Sequence, residues 1–553
     1  MSIRRLAFLI CVANALQAAA QIGPDTYWVQ FTDKDATPYS IGEPEQFLSA
    51  RSIARRQAQG IAIDETDLPV DPAYISAVLA TGSVQLVNRS KWFNAITIRS
   101  TDALALDVIG QLPFVSNVRA TRRLMLESPP PQEKFTLEAP PSMMLRGGQP
   151  EDYGLSWNQI FIHNGHLLHA FDAKGQGMLI GVLDSGFEDA DSLAAFAELR
   201  AREGIVLTRD MVNHDGDVYD DHWHGRSVLS CMTGILPGYL QGTAPMADYA
   251  LVRTEEVAFE MVVEEDNWVA GAELLDSLGC DVLNTSLGYT TFDDSLLDHT
   301  YEQLDGLTTR ITIAAGMASQ KGMIPVQSAG NNGWSPWHYI SAPADANDIL
   351  AVGAVGNQGQ FAGFSGWGPS ADGRVKPDVM AVGWGAIGLR LEGDSVASIN
   401  GTSFSSPIMA GLVACLWQLH PERSAHDVMD AVRRSAHLWL APNDSMGYGI
   451  PDFMVAHAWL ELTAGVKDEA AQGGMLVSPN PFDRGVRVGA PGARDGLARI
   501  VIIDALGRTA AEQGIMMRSE SAGLSGLESL SPGTYMFRVI QDGRVWSARA
   551  VKP

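Results

Sequence analysis

The chain has 553 residues, of which 46% are apolar and 19% charged, a composition typical of a globular protein with roughly two to four domains. The formal net charge of -25 excludes a surface suited to nucleic acid or to anionic membranes. Beyond the N-terminus, no stretch approaches the about 18 uninterrupted apolar residues of a membrane-spanning helix, so we expect no transmembrane segment.

The first residues predict an export signal. They begin with Arg4 and Arg5, continue with an apolar stretch from Leu6 to Leu16, and end in small residues. This pattern over 1–20 is typical of a secretory signal peptide and is too short for a membrane anchor. We therefore expect the mature protein to be secreted or attached to the cell surface.

A first folded unit is predicted at residues 21–127. Within 26–124, strand and helix patterns follow the order β-α-β-β-α-β, with a basic amphipathic helix over 43–60. That order is typical of a ferredoxin-like α+β module. The proline-rich residues 128–150 predict an extended linker that is accessible to proteases.

Residues 151–463 predict a doubly wound α/β domain. Short apolar runs rich in β-branched residues alternate with helical patterns, which is typical of a mainly parallel sheet with helices on both faces. In such sheets the site lies at the carboxyl ends of the strands. Residues 464–474 predict a second linker, and residues 475–553 predict a small C-terminal β-sandwich.

Reactive side chains stand at the ends of several predicted elements. Asp184 ends an apolar strand in "GVLDSGF", where a shielded carboxylate can accept a hydrogen bond from an imidazole, although aspartate also begins turns. His224 in "DDHWHGRS" precedes an apolar helix pattern, beside a glycine that allows close approach. Asn331 in "VQSAGNNG" ends another strand, where its amide can donate to an oxyanion or simply form a turn.

Ser403 lies in "NGTSFSSPIMAG", which predicts a helix N-terminus and a helix to about Leu419. Serine is a favoured cap residue, so capping alone explains this stretch locally. A helix N-terminus also favours developing negative charge, which suits a nucleophile. We expect Pro407 in the first turn, and Ser405 and Ser406 to satisfy backbone donors there.

Together, Asp184, His224, Ser403 and Asn331 make a complete acid, base and nucleophile set with an oxyanion donor. A metal site is a second interpretation, because residues 213–224 read "NHDGDVYDDHWH". The spacing of that segment matches neither the HExxH pattern nor a calcium-binding loop.

The motifs "VLDSG", "HG" before a helix, "NTSLG", "SAGNNG" and "GTSFSSP" resemble those of the subtilisin-like serine proteases, across residues 151–463. The resemblance implies a serine endopeptidase. It implies roles for four residues: Asp184 as orienting acid, His224 as general base, Ser403 as nucleophile and Asn331 as oxyanion donor.

The resemblance also implies two substrate-binding segments. Ser286, Leu287 and Gly288 are expected to pair with the substrate backbone as an edge strand. Ala329 and Gly330 are expected to wall the pocket for the residue before the cut, and the stretch "NGWSPWHYISAPADA" can narrow or line it. The chemistry requires no cofactor. Structural calcium is compatible with the resemblance, at a position that the sequence does not assign.

Arg226 departs from the family pattern, in which a threonine usually follows "HG". A cation beside His224 would depress the pKa of its imidazole, or the arginine side chain would point to solvent. Two alternatives to the protease therefore stay open: a catalytically weak binding or adhesion protein on the same fold, and a metal-dependent hydrolase.

The flanking regions carry resemblances of their own. Residues 26–124 resemble the inhibitory chaperone pro-domain of exported bacterial subtilases, which implies a zymogen. Residues 475–553, with "SPNPF" near their start, resemble the sorting domain of type IX secretion cargo, and a simple accessory β-domain is the alternative. The expected partners are protein or peptide substrates, the protein's own pro-domain and the type IX secretion machinery.

Overall fold

The structure is a computed structural model that describes residues 24–123, 153–390, 393–463, 475–504, 508–518, 520–541 and 544–552. The predicted signal peptide and both predicted linkers lie outside these residues. The chain forms two compact units, Met1–Leu460 and Glu461–Pro553. In the part of the chain that is described, no helix is both long and apolar enough to cross a membrane.

The N-terminal part of the first unit is a four-stranded antiparallel sheet with three α-helices. Its elements are β1 (Pro24–Phe31), α1 (Ala50–Gln59), α2 (Pro72–Leu79), β2 (Gln85–Ser90), β3 (Ala95–Arg99), α3 (Ala103–Ile109) and β4 (Val115–Arg123). The strand order β2-β3-β1-β4 is that of the predicted ferredoxin-like module.

Two details of this part differ from the prediction. The basic helix begins only at Ala50, because the Ser49 side chain caps it by accepting from the backbone N–H of Ser52. Helix α2 was not predicted, although Asp71 and Pro72 form an N-terminal signal in the sequence.

The rest of the first unit is built on an eight-stranded sheet. Its elements are α4 (Trp157–Phe161), α5 (Gly165–Ala170), β5 (Leu179–Asp184), α6 (Ala197–Ala201), β6 (Ile205–Asp210), α7 (His224–Thr233), β7 (Ile235–Leu236), β8 (Leu240–Gln241), β9 (Asp248–Arg253), α8 (Val263–Leu278), β10 (Val282–Thr285), α9 (Arg310–Gln320), β11 (Ile324–Ser328), β12 (Leu350–Gly356), β13 (Val379–Leu389), β14 (Val396–Asn400), α10 (Thr402–Leu419), α11 (Ala425–Arg434) and α12 (Phe453–Thr463). The strands run in the order β14-β13-β12-β11-β10-β5-β9-β6. Only the β13–β14 pair is antiparallel among these described strands.

Helices cover both faces of this sheet, as predicted. Val182 and Val326 belong to a hydrophobic cluster that includes residues of α7, α10 and α11. Leu183 and Leu283 belong to a second cluster, which includes residues of α8 and α9. Because successive side chains of a strand point to opposite faces, the sheet is buried on both sides. The carboxyl ends of β5, β10 and β11 meet at one edge.

Helix α1 caps the C-terminal end of α8. The backbone N–H of Ser49 donates to the carbonyl of Ser277 at 2.9 Å, and the Ser49 hydroxyl donates to the carbonyl of Leu278 at 2.8 Å. Arg51 donates to the carbonyl of Gly279 at 2.9 Å. The last carbonyls of a helix have no donor within the helix, so these contacts satisfy them and place positive charge where the helix dipole favours it.

A buried ionic cluster joins the same two helices. Asp276 of α8 accepts hydrogen bonds from Arg55 at 2.6 Å, Arg56 at 2.8 Å and Lys91 at 3.2 Å, and Arg56 also binds Asp67 at 2.9 Å. Burial opposes ionisation of Asp276, but the three cations outweigh it and hold the pKa of this carboxyl at about 2. These contacts explain why the two predicted domains form one compact unit.

The second unit contains two antiparallel sheets around one hydrophobic cluster, to which Phe482 and Phe537 belong. Its strands are β15 (Leu476–Ser478), β16 (Gly485–Gly489), β17 (Gly496–Asp504), β18 (Thr509–Met517), β19 (Ser521–Ser525), β20 (Gly533–Gln541) and β21 (Arg544–Lys552). The sheets have the orders β15-β16-β19 and β18-β17-β20-β21. The hairpins that "LARIVIIDALGR" and "QDGR" predict correspond to β17–β18 and β20–β21.

Candidate active site

Asp184 and His224, the predicted acid and base, form a buried pair. Asp184 is the last residue of β5 and His224 is the first residue of α7. Nδ1 of His224 lies 2.7 Å from Oδ1 of Asp184, and the two side chains are 3% and 0% exposed. A carboxylate only accepts, so Nδ1 carries the proton and Nε2 is left as the basic nitrogen of the neutral ring.

The pair is possible because α7 approaches the end of β5 closely at Gly225. A methyl group built on Gly225 would lie 2.3 Å from the carbonyl oxygen of Gly186 and 2.9 Å from Cβ of Asp184. Any larger residue would push the helix away and separate His224 from the carboxylate. The backbone N–H of Ser185 donates to Oδ1 of Asp184 at 2.8 Å and holds that oxygen towards the imidazole.

His222 supports this arrangement, although the sequence suggested only a metal ligand there. Burial, followed by the neighbouring His224, lowers the pKa of His222 to about 4, so its ring is neutral near pH 7. Nδ1 of His222 accepts the backbone N–H of His224 at 3.3 Å and lies 3.0 Å from the Ser185 hydroxyl. The ring therefore connects Ser185, the residue after the acid, to the backbone of the base.

Ser403, the predicted nucleophile, is the second residue of α10, and Gly401 rather than a serine is the N-cap. Its hydroxyl donates to the backbone carbonyl of Ser286 at 3.1 Å. The ring of His224 lies 5.9 Å, centre to centre, from the ring of Phe404, the next residue along the helix. The start of α10 and the start of α7 therefore meet beside the end of β5.

Pro407 lies inside α10 rather than in its first turn, which corrects the prediction. Proline has no N–H, so the carbonyl of Ser403, four residues earlier, receives no helical hydrogen bond. The hydroxyl of Ser286 donates to that carbonyl at 2.8 Å instead. Ser286 and Ser403 thus exchange two hydrogen bonds, which ties the start of α10 to the segment after β10.

The other two serines of the motif have a different role from the predicted one. Ser405 donates its hydroxyl to the carbonyl of Thr402 at 2.9 Å, and Ser406 donates to Oδ1 of Asn284 at 2.9 Å. They are donors, whereas the sequence suggested acceptors for backbone N–H groups. Both residues are fully buried, so these bonds satisfy hydroxyls that water does not reach.

Asn331 is held by Thr402, a residue that the sequence analysis missed. Oδ1 of Asn331 accepts both the backbone N–H and the hydroxyl of Thr402, each at 2.9 Å. With its oxygen held by two donors, the amide leaves Nδ2 as its donor group. Nδ2 lies 3.6 Å from the point where a methyl group on Gly401 would be, next to the N-terminus of α10. The position of Thr402 directly before Ser403 was the one feature of the sequence that could have indicated this role.

The two predicted substrate segments leave the sheet side by side. Ser286, Leu287 and Gly288 follow β10, and Ala329 and Gly330 follow β11, its parallel neighbour. Gly288 is exposed, whereas Ser286, Leu287 and Ala329 are buried and Gly330 is half-buried. Because β5, β10 and β11 are parallel neighbours, both segments begin at the edge of the sheet where Asp184 ends β5.

The Arg226 side chain does not point to solvent, which corrects that alternative, and an effect of its charge on His224 stays a prediction. The arginine side chain is fully buried and donates to the carbonyls of Glu188 at 3.2 Å and Arg390 at 2.7 Å. Its guanidinium also lies 3.4 Å from the Glu188 carboxylate, and burial lowers its pKa. The departure from the family pattern therefore binds two loops together.

The described part of residues 213–224 does not form a metal site. It contains no three ligating atoms close enough to share one ion. Asp217 accepts the backbone N–H of Tyr219 at 2.8 Å, and Asp221 pairs with Arg253 at 3.0 Å. Asp217 and Asp221 thus serve a turn and an ion pair, and this segment gives the metal-dependent alternative no support.

A second acidic group lies elsewhere in the first unit. Ligating oxygens of Glu255, Glu260 and Glu264 lie within 4.8 Å of one another. Glu255 accepts the hydroxyl of Tyr289, and Glu264 accepts the backbone N–H of Met261 at 2.8 Å. These protein donors account for two of the three carboxylates, and structural calcium stays a prediction without a position.

Comparison with known proteins identifies the family. The sequence profile of the subtilase family matches residues 175–454, more than half of the chain. The chain belongs to the subtilase family. The profile of the peptidase S8 propeptide domain of Bacteroidota matches residues 26–135, so this subtilase carries a propeptide domain ahead of its subtilisin-like fold. The resemblance of residues 151–463 to the subtilisin-like serine proteases and the resemblance of residues 26–124 to a subtilase pro-domain are therefore confirmed.

Characterised relatives are distant. The serine protease AprX of Bacillus subtilis (strain 168) is 25% identical over 306 residues, which cover 50% of this chain and 64% of AprX. Subtilisin E of the same strain is 27% identical over 274 residues, which cover 49% and 63%. The crystal structure of MycP1 with its N-terminal propeptide removed matches with a TM-score of 0.44 and 21% identity, covering 55% of this chain and 96% of that one. This subtilase therefore spans less than two thirds of either curated relative.

Proposed function

We propose that this subtilase is an exported serine endopeptidase that hydrolyses peptide bonds in proteins through an acyl-enzyme. The observation that carries the proposal is the buried 2.7 Å contact between His224 and Asp184, beside the start of the helix that bears Ser403. Membership of a family whose relatives are named as serine proteases supports the same activity.

In the proposed mechanism, the hydroxyl of Ser403 attacks the substrate carbonyl while Nε2 of His224 takes its proton. His224 then gives the proton to the leaving amine, and water hydrolyses the acyl-serine by the reverse sequence. Asp184 keeps the imidazole in the required tautomer and stabilises its charged form. Nδ2 of Asn331 and the backbone N–H of Ser403 donate to the oxyanion. These steps use protein side chains, one backbone N–H and a water molecule, and they require no cofactor.

Attack also requires Ser403 to release the carbonyl of Ser286, to which it donates at 3.1 Å. The freed carbonyl then becomes an acceptor for a backbone N–H of the substrate. Substrate binding along Ser286–Gly288 as an edge strand would thus turn the nucleophile towards His224. We propose this exchange as the first step of the reaction.

The flanking regions fit an exported zymogen. Residues 1–20 would direct export, and the N-terminal module, joined to α8 through Asp276, would inhibit the enzyme until it is released. The second unit would be a β-sandwich that serves as a type IX sorting domain, leaving the product secreted or attached to the cell surface. The partners in this proposal are protein substrates, the pro-domain and the secretion machinery.

Active-site labelling tests the proposal. A fluorophosphonate should label the processed protein once, and mass spectrometry should place the label on Ser403. Ser403→Ala should abolish labelling, whereas Ser405→Ala, which alters the same helix, should retain it. Labelling of Ser403→Ala, or a label on another serine of the folded protein, would exclude this nucleophile.

A further inference from the structure

Two histidines meet where the end of α10 packs beside α12. His420 directly follows Leu419, the last residue of α10, and is 1% exposed, whereas His457 lies within α12 and is half-buried. Nε2 of His420 lies 2.8 Å from Nδ1 of His457, and the two rings are 4.9 Å apart, centre to centre. One nitrogen of each ring therefore points to a common place at the junction of the two helices.

A carboxylate completes this group on the side of the solvent. Helix α12 continues without a break to Thr463, so Glu461 lies one turn after His457 on the same face of the helix. A carboxylate oxygen of Glu461 and one nitrogen of each ring all lie within 4.8 Å of one another. Because Glu461 is exposed, an ion can reach the group from solvent. His420, His457 and Glu461 form the His-His-Glu cluster.

The other ring nitrogen of His420 also faces a carboxylate. Nδ1 of His420 lies 3.9 Å from Oε1 of Glu422. A carboxylate accepts and does not donate, so it favours the tautomer with the proton on Nδ1 and leaves the lone pair of Nε2 directed into the cluster. A carboxylate, carbonyl or water on the far ring nitrogen is typical of histidines that ligate metals. This second carboxylate therefore supports His420 as a ligand.

We propose that the His-His-Glu cluster binds a zinc ion, with Nε2 of His420, Nδ1 of His457 and an oxygen of Glu461 as ligands and water in the fourth position. Two imidazoles with one carboxylate are a zinc ligand set, whereas calcium and magnesium prefer oxygen ligands alone. Nitrogens that share a tetrahedral zinc ion at about 2.0–2.1 Å lie about 3.3 Å apart, so the two rings have to separate by about 0.5 Å. The proton between the rings moves to Nε2 of His457 or to water.

The ion acts on stability rather than on the reaction. Ser403 and His420 stand at opposite ends of α10, about 25 Å apart at 1.5 Å per residue. At that distance the ion cannot contact a substrate carbonyl beside Ser403. It ties the last turn of the helix that carries Ser403 to α12, and an ion that binds only the folded chain raises the unfolding temperature.

Zinc titration of the full-length Ser403→Ala chain, which lacks the proposed nucleophile, tests the proposal. After metal is removed with a chelator, zinc chloride alone would be titrated in competition with a chromophoric chelator, and bound zinc would be counted by mass spectrometry. We expect one zinc ion per chain. At a zinc concentration about 100 times the dissociation constant, the unfolding temperature should rise by at least about 3 °C, whereas calcium chloride at the same concentration should not produce this rise.

Three variants separate metal binding from packing. His457→Gln keeps an amide that can donate to Nε2 of His420 but is not a zinc ligand, so zinc affinity should fall at least about 100-fold while the metal-free unfolding temperature changes little. Glu461→Gln, at an exposed position, should weaken zinc binding by at least about tenfold even if the histidine variant does not fold. His426→Gln is the matched control, because the side chain of His426 is 68% exposed, and it should bind zinc as the parent chain does.

Two results would overturn the proposal. A parent chain that binds no zinc would show that the cluster is a hydrogen-bonded group alone. Zinc binding of equal affinity in the parent chain, His457→Gln and Glu461→Gln would place the ion elsewhere. Either result leaves the proposed endopeptidase function intact, because neither Ser403 nor His224 belongs to the cluster.

Discussion

Replacing Asp276 by alanine is expected to destabilise the first unit by about 3 kcal/mol. The carboxylate of Asp276 is fully buried and accepts from Arg55 at 2.6 Å, Arg56 at 2.8 Å and Lys91 at 3.2 Å. The side chain of Arg56 is 0% exposed, so water cannot replace the lost acceptor.

The magnitude follows from what remains after the substitution. Removing one partner of a buried ion pair costs about 3–5 kcal/mol, because the other charge stays buried without compensation. Arg56 keeps Asp67 at 2.9 Å, which places the expected cost at the lower end of that range. Asp276→Leu combined with Arg56→Met should recover part of the loss, because apolar side chains of similar volume replace a charge pair without this penalty.

The assay is urea unfolding in a Ser403→Ala background, which prevents self-cleavage. Unfolding is monitored by tryptophan fluorescence, and the hydrogen exchange of α1 and α8 is measured in the same background. Asp430→Ala is the matched control, since its pair with Arg434 is about one third exposed and such pairs contribute only about 0.5 kcal/mol. A loss below about 1 kcal/mol for Asp276→Ala, or an equal loss for the control, would refute the reasoning.

Two further predictions concern catalysis and pH. Asn331→Ala should lower kcat by about 10²–10³-fold and change KM little, because the amide acts on charge that develops in the transition state. This loss of kcat is the one found for the same donor within the subtilisin family. An unchanged kcat on a peptide substrate would show that Asn331 is not an oxyanion donor. Burial, opposed by Lys91, raises the pKa of Glu273 to about 7 from an ordinary 4.5, so the stability that the neutral carboxyl contributes is present below pH 4.5 and lost as pH rises through 7. Glu273→Gln should therefore flatten the fall in unfolding free energy between pH 5 and 8, and parallel profiles for the two proteins would contradict this assignment.

Much of the candidate site could be predicted because its residues stand at the ends of regular elements. Asp184 ends a strand that is apolar throughout, and His224 and Ser403 open helices with buried faces. Such ends are visible in the periodicity of the chain. The ferredoxin-like order of the N-terminal module was readable for the same reason.

The contacts that hold the site residues in place could not be predicted from the sequence, because they join residues far apart in the chain. Ser286 and Ser403 are 117 positions apart, yet their hydrogen bonds compensate for the N–H that Pro407 lacks. Arg226 does not face solvent, which was one of the two expectations, because its partners Glu188 and Arg390 from separate loops hold it in the interior. No local pattern states which distant carbonyl will accept a given guanidinium.

The sequence by itself determined the family, the alternation of strands and helices, and the four residues proposed for catalysis, because each of these is written in short-range periodicity and in motifs of a few residues. Only the tertiary structure decided that the basic face of α1 caps α8 and that Thr402 orients Asn331. Those features depend on which strands lie side by side, and strand order is set by the packing of the whole core rather than by any one segment.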